Sequence, residues 1–352
     1  MKRLFLLTTI MLGCMAVFAQ NVDKNEAKAI KAFLNQPAEK AATNAQALKV
    51  TDINAIGNIE GVTVENGHVT AIDWKDKGIA GDLNLAGFKA LTKVDVSRNK
   101  LTSANFAGDA AIVEINAARN VLRTVDLAGT TALQKLTIYK NRLTDLDVSG
   151  SPVITDMNVS NNLFVELNVS NSVSLKTLNC QGCHLETLMI SGCTQLKNLY
   201  CGYNKLTSLN LVGVEGLQNL NIDDNQITNM YVQGLPSLSS FICSDNGMTT
   251  LGLKDCSNLL DLVCSYNDLT TLSVENCPQL VYVDCCYNDL TQLMLNNQTY
   301  LQRLVCNNNQ LNVLDVSFDP ALVYVNCRYN FITDFRTMGD DNLRMVACQW
   351  NY

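Results

Sequence analysis

The sequence is poor in the side chains on which most enzymes depend. Its 352 residues include only two histidines, His68 and His184, and charged residues make up 17% of the chain. Acid–base and nucleophilic catalysis rest mainly on histidine and on paired carboxylates. None of the patterns G-x-S-x-G, Walker A or H-E-x-x-H occurs. We therefore predict a protein that is not an enzyme and that needs no cofactor and no metal.

Basic clusters and long apolar runs are also scarce. The formal net charge is −7, which disfavours nucleic acid as a partner because phosphate neutralisation requires clustered lysine and arginine. Beyond the N-terminus, no stretch reaches the ~20 apolar residues of a transmembrane helix. We therefore expect a soluble mature chain without a transmembrane segment.

The N-terminus has the composition of a secretory signal. Lys2 and Arg3 precede an apolar run from Leu4 to Leu12, and Ala19 ends a small-residue cleavage site. This pattern predicts a signal peptide of residues 1–19, cleaved after Ala19, and a secreted or periplasmic location. Lipidation at Cys14 is an alternative, which Met11 disfavours because it is a poor first residue for a lipobox.

Cysteine, in contrast, recurs at a strict 21-residue step, with Ile222 at the one missing position. The cysteines of this column are Cys180, Cys201, Cys243, Cys264, Cys285, Cys306, Cys327 and Cys348. An asparagine follows three residues later in each repeat, and the same column extends back to Asn99 with Cys183 as the only interruption. A fixed period of this length predicts a solenoid of stacked coils, because one coil cannot bury its own apolar face.

The 21-residue spacing argues against disulfides. Equivalent residues of adjacent parallel strands lie ~4.8 Å apart, whereas the Cβ atoms of a disulfide lie ~3.8 Å apart. We expect the column to consist of reduced thiols that face the interior, Cys348 included. Cys193, Cys256 and Cys277 form a second, partial column with the same interpretation, whereas Cys286 is predicted to face outward as an exposed thiol.

Each repeat contains two short stretches of alternating apolar residues. Leu136-Thr-Ile138 and Leu146-Asp-Val148 show this in one repeat, which predicts a strand on one side of the coil and a second extended segment opposite. The inward asparagine is expected to bond backbone groups where the chain turns and to link successive coils.

Residues 20–76 follow a different pattern, which predicts an N-terminal cap. Asp23 and Glu26 suggest a capping box for a helix that ends before Pro37, and a second short helix is predicted within 41–48. Asn66-Gly67 lies between two alternating runs, the signature of a two-residue β-hairpin turn. The solenoid is then predicted to span residues 77–352 in about 13 coils.

These repeats resemble the leucine-rich repeat. The run Leu259-Leu-Asp-Leu262-Val-Cys264-Ser-Tyr-Asn267-Asp-Leu269-Thr-Thr-Leu272-Ser-Val274 is similar to the 21-residue bacterial subclass with a cysteine ladder, of the internalin J type. The resemblance implies right-handed coils with a parallel concave sheet, a fold placed in the α/β class by convention although mostly β. It also implies a binding or adhesion protein of a bacterial envelope.

Cys180-Gln-Gly-Cys183-His184 fits the haem-attachment pattern C-x-x-C-H. However, Cys180 belongs to the cysteine column and Cys183 occupies the asparagine position, so both are expected to point inward. A packed coil has no room for haem, and a structural role is favoured.

Aromatic residues gather on the C-terminal half of the predicted concave face. They occupy the position just before the asparagine, or outward strand positions: Tyr200, Tyr203, Tyr266, Tyr282, Tyr287, Tyr324, Tyr329 and Trp350. Aromatic enrichment is typical of interfaces, and we predict that these eight residues bind a protein or carbohydrate partner. The alternative is structural, because aromatic residues also pair across strands.

A second hypothesis is a structural, self-associating component of the cell envelope. Residues Cys348 to Tyr352 are predicted to form an unpaired strand edge, which is a template for pairing with another chain.

Overall fold

The computed structural model describes residues 22–295, 298–317 and 319–351. The predicted signal peptide and Cys14 lie outside the described residues.

One long sheet runs the length of the molecule, and we call it the concave sheet. Its first two strands are antiparallel and all later pairings are parallel. The 15 strands, in spatial order, are Val62–Glu65, His68–Asp73, Lys93–Asp95, Glu114–Asn116, Lys135–Thr137, Asp156–Asn158, Thr177–Asn179, Asn198–Tyr200, Asn219–Asn221, Ser240–Ile242, Asp261–Val263, Tyr282–Asp284, Arg303–Val305, Tyr324–Asn326 and Met345–Ala347.

The opposite side of the coils carries shorter parallel sheets. They consist of Ala80–Asn84, Lys100–Asn105 and Thr124–Asp126; Glu166–Asn168 and Thr187–Met189; Asn229–Gln233, Thr250–Lys254 and Thr271–Glu275; and Val313–Asp315 and Asp334–Arg336. The chain is thus a mostly-β parallel solenoid of about 13 turns, which confirms the predicted fold. In the described part of the chain, no helix has the length and apolarity needed to cross a membrane.

The interior of the solenoid is one continuous apolar core, from Ile30 in the first helix to Cys327 near the end. In each strand of the repeats the central residue points inward. Leu136 is fully buried between Lys135 and Thr137, for example, and Ile138 two residues later is buried as well. This alternation follows from the two-residue period of a strand.

The asparagine column links each coil to the one before it. The Asn267 side chain donates from Nδ2 to the carbonyl oxygens of Cys264 in its own coil and of Cys243 in the preceding coil, at 3.2 and 3.1 Å. Its Oδ1 accepts the Met248 N–H at 3.1 Å. The bonds run from side chain to backbone, and they satisfy polar groups that the turn would otherwise leave buried without partners.

Cys183 is the exception in this column. Its thiol donates a hydrogen bond to the Val159 carbonyl at 3.3 Å, where the other coils have a hydrogen bond from the asparagine side chain. A thiol has no carbonyl acceptor to offer, and the Phe164 N–H, which the pattern pairs with this position, makes no hydrogen bond within the described residues. The link between these two coils is therefore weaker than its neighbours.

The cysteine column is buried from Cys180 to Cys327, as predicted. Burial raises the pKa of the Cys183 and Cys327 thiols to about 11. Two expectations were wrong. Cys348 is exposed because no described coil packs over it, and Cys286 is buried. Burial and the adjacent Asp284 raise the pKa of Cys286 to about 12.

The N-terminal segment has the predicted elements. Helices span Lys24–Leu34 and Asn44–Ala47, a 3-10 turn spans Ile56–Asn58, and a hairpin precedes the repeats. Asn66 and Gly67 have φ of 51° and 80°, as the two-residue turn requires.

Only half of the predicted capping box forms. Asp23 caps the first helix, whereas Glu26 accepts the Val69 N–H and contacts His68, which ties the helix to the hairpin. The division at residue 76 stays a prediction.

Replacing Asn267 by alanine should lower the free energy of unfolding by about 1–3 kcal/mol, because it leaves the buried Met248 N–H without its acceptor. The Cys243 and Cys264 carbonyls each lose one of two amide donors. Chemical denaturation would measure the loss. Asp268→Ala, an exposed neighbour, is the matched control. Equal stability of the two variants would contradict the role given to the asparagine column.

Native thiols should react very unevenly with an alkylating reagent. Mass spectrometry after brief labelling should find Cys348 modified and the twelve buried cysteines unmodified, because thiolates are the reactive species and burial opposes their formation. Denaturant should expose all of them. The variant Cys348→Ser should abolish the fast reaction. Fast labelling of Cys264 or Cys285 in the native protein would show that the predicted register is wrong.

Stability should fall as the pH rises from about 4 to 7. Buried Asp109 accepts the Phe88 N–H with Oδ1 at 2.7 Å, whereas Oδ2 has no partner, and burial raises its pKa from 3.8 to about 7. The folded state therefore binds more protons than the unfolded state in this window, and deprotonation disfavours it.

Asp109→Asn keeps an acceptor and removes this titration, so its stability should fall less steeply over the same window. Denaturation midpoints at pH 5 and pH 7.5 would test this, with the exposed Asp126→Asn as control. A pH profile of Asp109→Asn that coincides with that of the parent protein would refute the assignment.

Candidate functional site

The residue before each asparagine lies at the edge of the concave sheet, and we call this set the exit column. Its backbone is left-handed throughout, with φ between 51° and 64°. The members are Arg98, Arg119, Lys140, Asn161, Gly182, Tyr203, Asp224, Asp245, Tyr266, Tyr287, Asn308, Tyr329 and Trp350. Backbone bonds continue the sheet here, as where Tyr266 N–H donates to the Cys286 carbonyl at 3.0 Å. The exit column therefore repeats at the coil spacing.

The aromatic residues of the exit column stack on each other and are half exposed. Tyr266 and Tyr287 have ring centroids 4.5 Å apart with planes at 8°. Tyr329 and Trp350 are 4.7 Å apart with planes at 6°. These four side chains and Tyr203 are between 45% and 57% exposed. Within each stacked pair the two facing ring surfaces cover each other, which leaves one outer face and the edges of each ring.

Three more predicted site residues lie on concave strands. Tyr282 and Tyr324 face outward on either side of Arg303, with which both are in register. The Arg303 Cζ lies 5.5 Å from the Tyr282 ring centroid and 4.7 Å from that of Tyr324. Tyr200 lies on the strand Asn198–Tyr200, between Asn179 and Asn221.

The structure brings six of the eight residues together and leaves two apart. Tyr266, Tyr282, Tyr287, Tyr324, Tyr329 and Trp350 belong to successive coils of the C-terminal third. Tyr200 and Tyr203 lie three repeats earlier, ~14 Å away at the coil spacing. We call the group of six the aromatic strip.

The hydroxyl of Tyr282 makes a hydrogen bond within its own strand. It donates to Asp284 Oδ2 at 3.1 Å. Burial, with the Asp284 charge, raises the pKa of Tyr282 to about 12, so the phenol stays neutral at physiological pH. Near Tyr203, the charge of Asp223 raises the tyrosine pKa, and burial raises the pKa of Asp223. The Tyr282 hydroxyl has one proton, which it donates to Asp284, so toward a ligand this oxygen can act only as an acceptor.

Sequence reasoning missed Arg303 and Arg328. Arg303 could have been found, because it occupies the outward strand position between Tyr282 and Tyr324 in a strict repeat. Arg328 donates from Nε to Gln349 Oε1 at 2.6 Å, and the repeat pattern does not predict this contact.

The basic side chains of the N-terminal half are partly neutralised. Lys93 and Lys135 flank Glu114 on adjacent concave strands, with Nζ–Oε distances of 2.9 and 3.8 Å. Arg119 stacks on the Tyr139 ring at 5.7 Å. Among the described residues of this half, the one stacked ring pair, Phe33 with Trp74, is buried.

The C-x-x-C-H motif is structural. Cys180 and Cys183 are both buried, and burial raises the pKa of each thiol. His184 lies outside the core, in left-handed backbone. Across the described residues, no group of three or more His, Cys, Asp and Glu side chains could hold a metal ion.

Comparison with known proteins connects this fold to bacterial leucine-rich repeat proteins. No family model and no curated protein matches the sequence. The functional domain of InlJ from Listeria monocytogenes, which includes a cysteine ladder, is similar with a TM-score of 0.52 and 25% identity. The match covers 78% of this chain and 56% of that domain, so the chain spans little more than half of that domain.

Two further structures share the fold at lower identity. YopM, a leucine-rich effector protein from Yersinia pestis, has a TM-score of 0.57 and 18% identity over 76% of this chain and 88% of that one. A leucine-rich repeat protein of Leptospira interrogans has a TM-score of 0.55 and 20% identity over 94% and 88%. The chain therefore has the leucine-rich repeat fold of these bacterial proteins, and this fold fits that of the internalin-like proteins with a cysteine ladder.

Proposed function

We propose that this chain is a non-catalytic, exported binding protein and that its aromatic strip holds a protein partner on the concave side. The observation that carries the proposal is the presence of half-exposed tyrosine and tryptophan at left-handed backbone positions. Glycine, asparagine and aspartate adopt this conformation at lower cost. Five other coils use them, at Asn161, Gly182, Asp224, Asp245 and Asn308, whereas three coils have Arg98, Arg119 and Lys140 at this position.

The energetics favour a role beyond stability. A left-handed conformation costs about 1–2 kcal/mol for an L-residue with a side chain. Ring stacking returns about 0.5–1.5 kcal/mol per pair, and half-exposed rings gain little from burial. Strained residues of this kind cluster at functional sites. We therefore infer that Tyr266, Tyr287, Tyr329 and Trp350 serve to bind a partner.

The ring geometry favours a protein over a carbohydrate. Stacking on a sugar requires an open ring face, and within the pairs Tyr266–Tyr287 and Tyr329–Trp350 the facing surfaces are already covered. Each pair therefore keeps only one outer face per ring, beside its ring edges and tyrosine hydroxyl groups, and the edges and hydroxyls fit the apolar and hydrogen-bonding anchors of a protein hot spot.

Export is supported by the sequence from Lys2 to Ala19, with its charged start, apolar run and small-residue end. We propose that the mature chain acts outside the cytoplasm, in the periplasm, at the cell surface or after release. The buried, unpaired thiols are compatible with an oxidising compartment because reagents do not reach them.

Self-association is the second candidate function, and one observation favours it. The strand Met345–Ala347 pairs on one side only within the described residues, and Met345, Val346 and Trp350 are exposed along it. An exposed apolar strand edge can pair with a second copy. A monomeric mass in sedimentation equilibrium at high concentration would exclude this candidate.

The triple variant Tyr266→Asn, Tyr287→Asn, Tyr329→Asn should lose partner binding while it keeps or gains stability, because asparagine fits left-handed backbone. A pull-down with the mature protein would first identify the partner, and calorimetry would then measure its affinity. We expect a loss of at least tenfold.

Tyr231→Ala with Tyr300→Ala is the matched control, since both tyrosines are more than half exposed but lie outside the aromatic strip. Full affinity in the triple variant, or an equal loss in the control, would refute the proposed site. A destabilised triple variant would contradict the strain argument on which the proposal rests.

A further inference from the structure

Arg303 is held between two aromatic rings at the centre of the aromatic strip. It is the only arginine within the described strands of the concave sheet. Tyr282, Arg303 and Tyr324 occupy the same outward position on three neighbouring strands, ~4.8 Å apart. The distances of 5.5 and 4.7 Å from Cζ to the two ring centroids place the guanidinium within cation–π range of both.

The hydrogen-bond donors of Arg303 are unused. Within the described residues its side chain donates no hydrogen bond and forms no ion pair, although the residue is exposed. Asp284, on the adjacent strand, is already engaged, because it accepts the Tyr282 hydroxyl at 3.1 Å and the Cys286 N–H at 3.1 Å. A guanidinium has five N–H groups in its plane, and the two rings leave that edge open to the concave side.

We propose that Arg303 recognises a carboxylate of the partner, supplied by an aspartate or glutamate side chain. This inference rests on the proposed function and names the chemistry of the same site. A carboxylate matches the planar guanidinium fork with two parallel hydrogen bonds. The flanking rings restrict the arginine before binding, so less conformational entropy is lost when the ion pair forms.

The surroundings of Arg303 favour a peptide carboxylate over a sugar acid or free phosphate. Val263 and Val305 occupy outward positions on the strands beside Asp284, and the tyrosine rings complete an apolar border. A peptide places apolar groups beside an acidic side chain, whereas a uronic acid brings hydroxyl groups that require partners of their own. Arg303 and Arg328 offset the charges of Asp261 and Asp284 in this part of the face.

Four soluble probes test the proposal by fluorescence competition or calorimetry at low salt. They are a capped hexaglutamate peptide, a capped hexaglutamine peptide, trigalacturonate and inorganic phosphate. We expect the full chain to bind hexaglutamate and to bind the other three at least tenfold more weakly. Equal binding of trigalacturonate or phosphate would overturn the peptide assignment, and equal binding of hexaglutamine would overturn the role of charge.

Two substitutions assign the binding to Arg303. Arg303→Gln should remove hexaglutamate binding, and Arg303→Lys should weaken it at least fivefold, because lysine keeps the charge but lacks the planar fork. Arg98→Gln, which removes an exposed arginine from the other end of the exit column, is the control and should bind as the parent protein does. Unchanged binding by Arg303→Gln would refute the inference.

Affinity measurements with the partner found by pull-down distinguish the proposed function from the carboxylate inference. If the triple tyrosine variant loses that partner and Arg303→Gln keeps it at full affinity, the proposed function stands and the carboxylate inference fails. If both variants keep the partner at full affinity, the proposed function fails as well. Arg303 is exposed, so its substitution should leave the thermal unfolding midpoint unchanged, and circular dichroism would verify this.

Discussion

The solenoid depends on a short amide side chain that is repeated at the same turn of every coil but the one with Cys183. A coil of 21 residues has too little interior to be stable alone, and the turn after each concave strand leaves backbone groups inside. The asparagine column links the coils and pairs these backbone groups, because each amide binds two carbonyls and one N–H from two successive coils. The residue before it must then adopt left-handed backbone, which fixes where the exit column projects.

Much of the fold could be predicted because the repeat constrains it many times over. A single hydrophobic strand is ambiguous, but the same pattern in about 13 turns is not. The hairpin at Asn66-Gly67 was predictable for a local reason, since both residues tolerate positive φ. Burial of cysteines outside the regular pattern was harder to predict from the sequence. Cys348 has the sequence context of a core residue but no coil of the described residues packs over it, and Cys286 is buried although it lies off the inward position.

The candidate site could be located from the sequence but its geometry could not. The repeat places tyrosines in a column, yet only the coordinates show that the rings of Tyr266 and Tyr287 stack and cover each other's faces. That difference favours a protein partner, because stacking removes one face of each ring from contact with a sugar. Arg303 was overlooked since its significance comes from the two rings beside it, which lie 21 residues away on either side.

The buried thiols have a consequence for biogenesis. For a protein exported as we propose, the chain emerges unfolded, with its sulfur atoms open to the oxidants and disulfide catalysts outside the cytoplasm. Cysteines that are buried in the folded protein can then form incorrect disulfides. Correct maturation therefore requires folding to be faster than oxidation. Contacts only one repeat apart make nucleation local and its propagation rapid. The architecture thus protects its cysteines through the speed with which it encloses them.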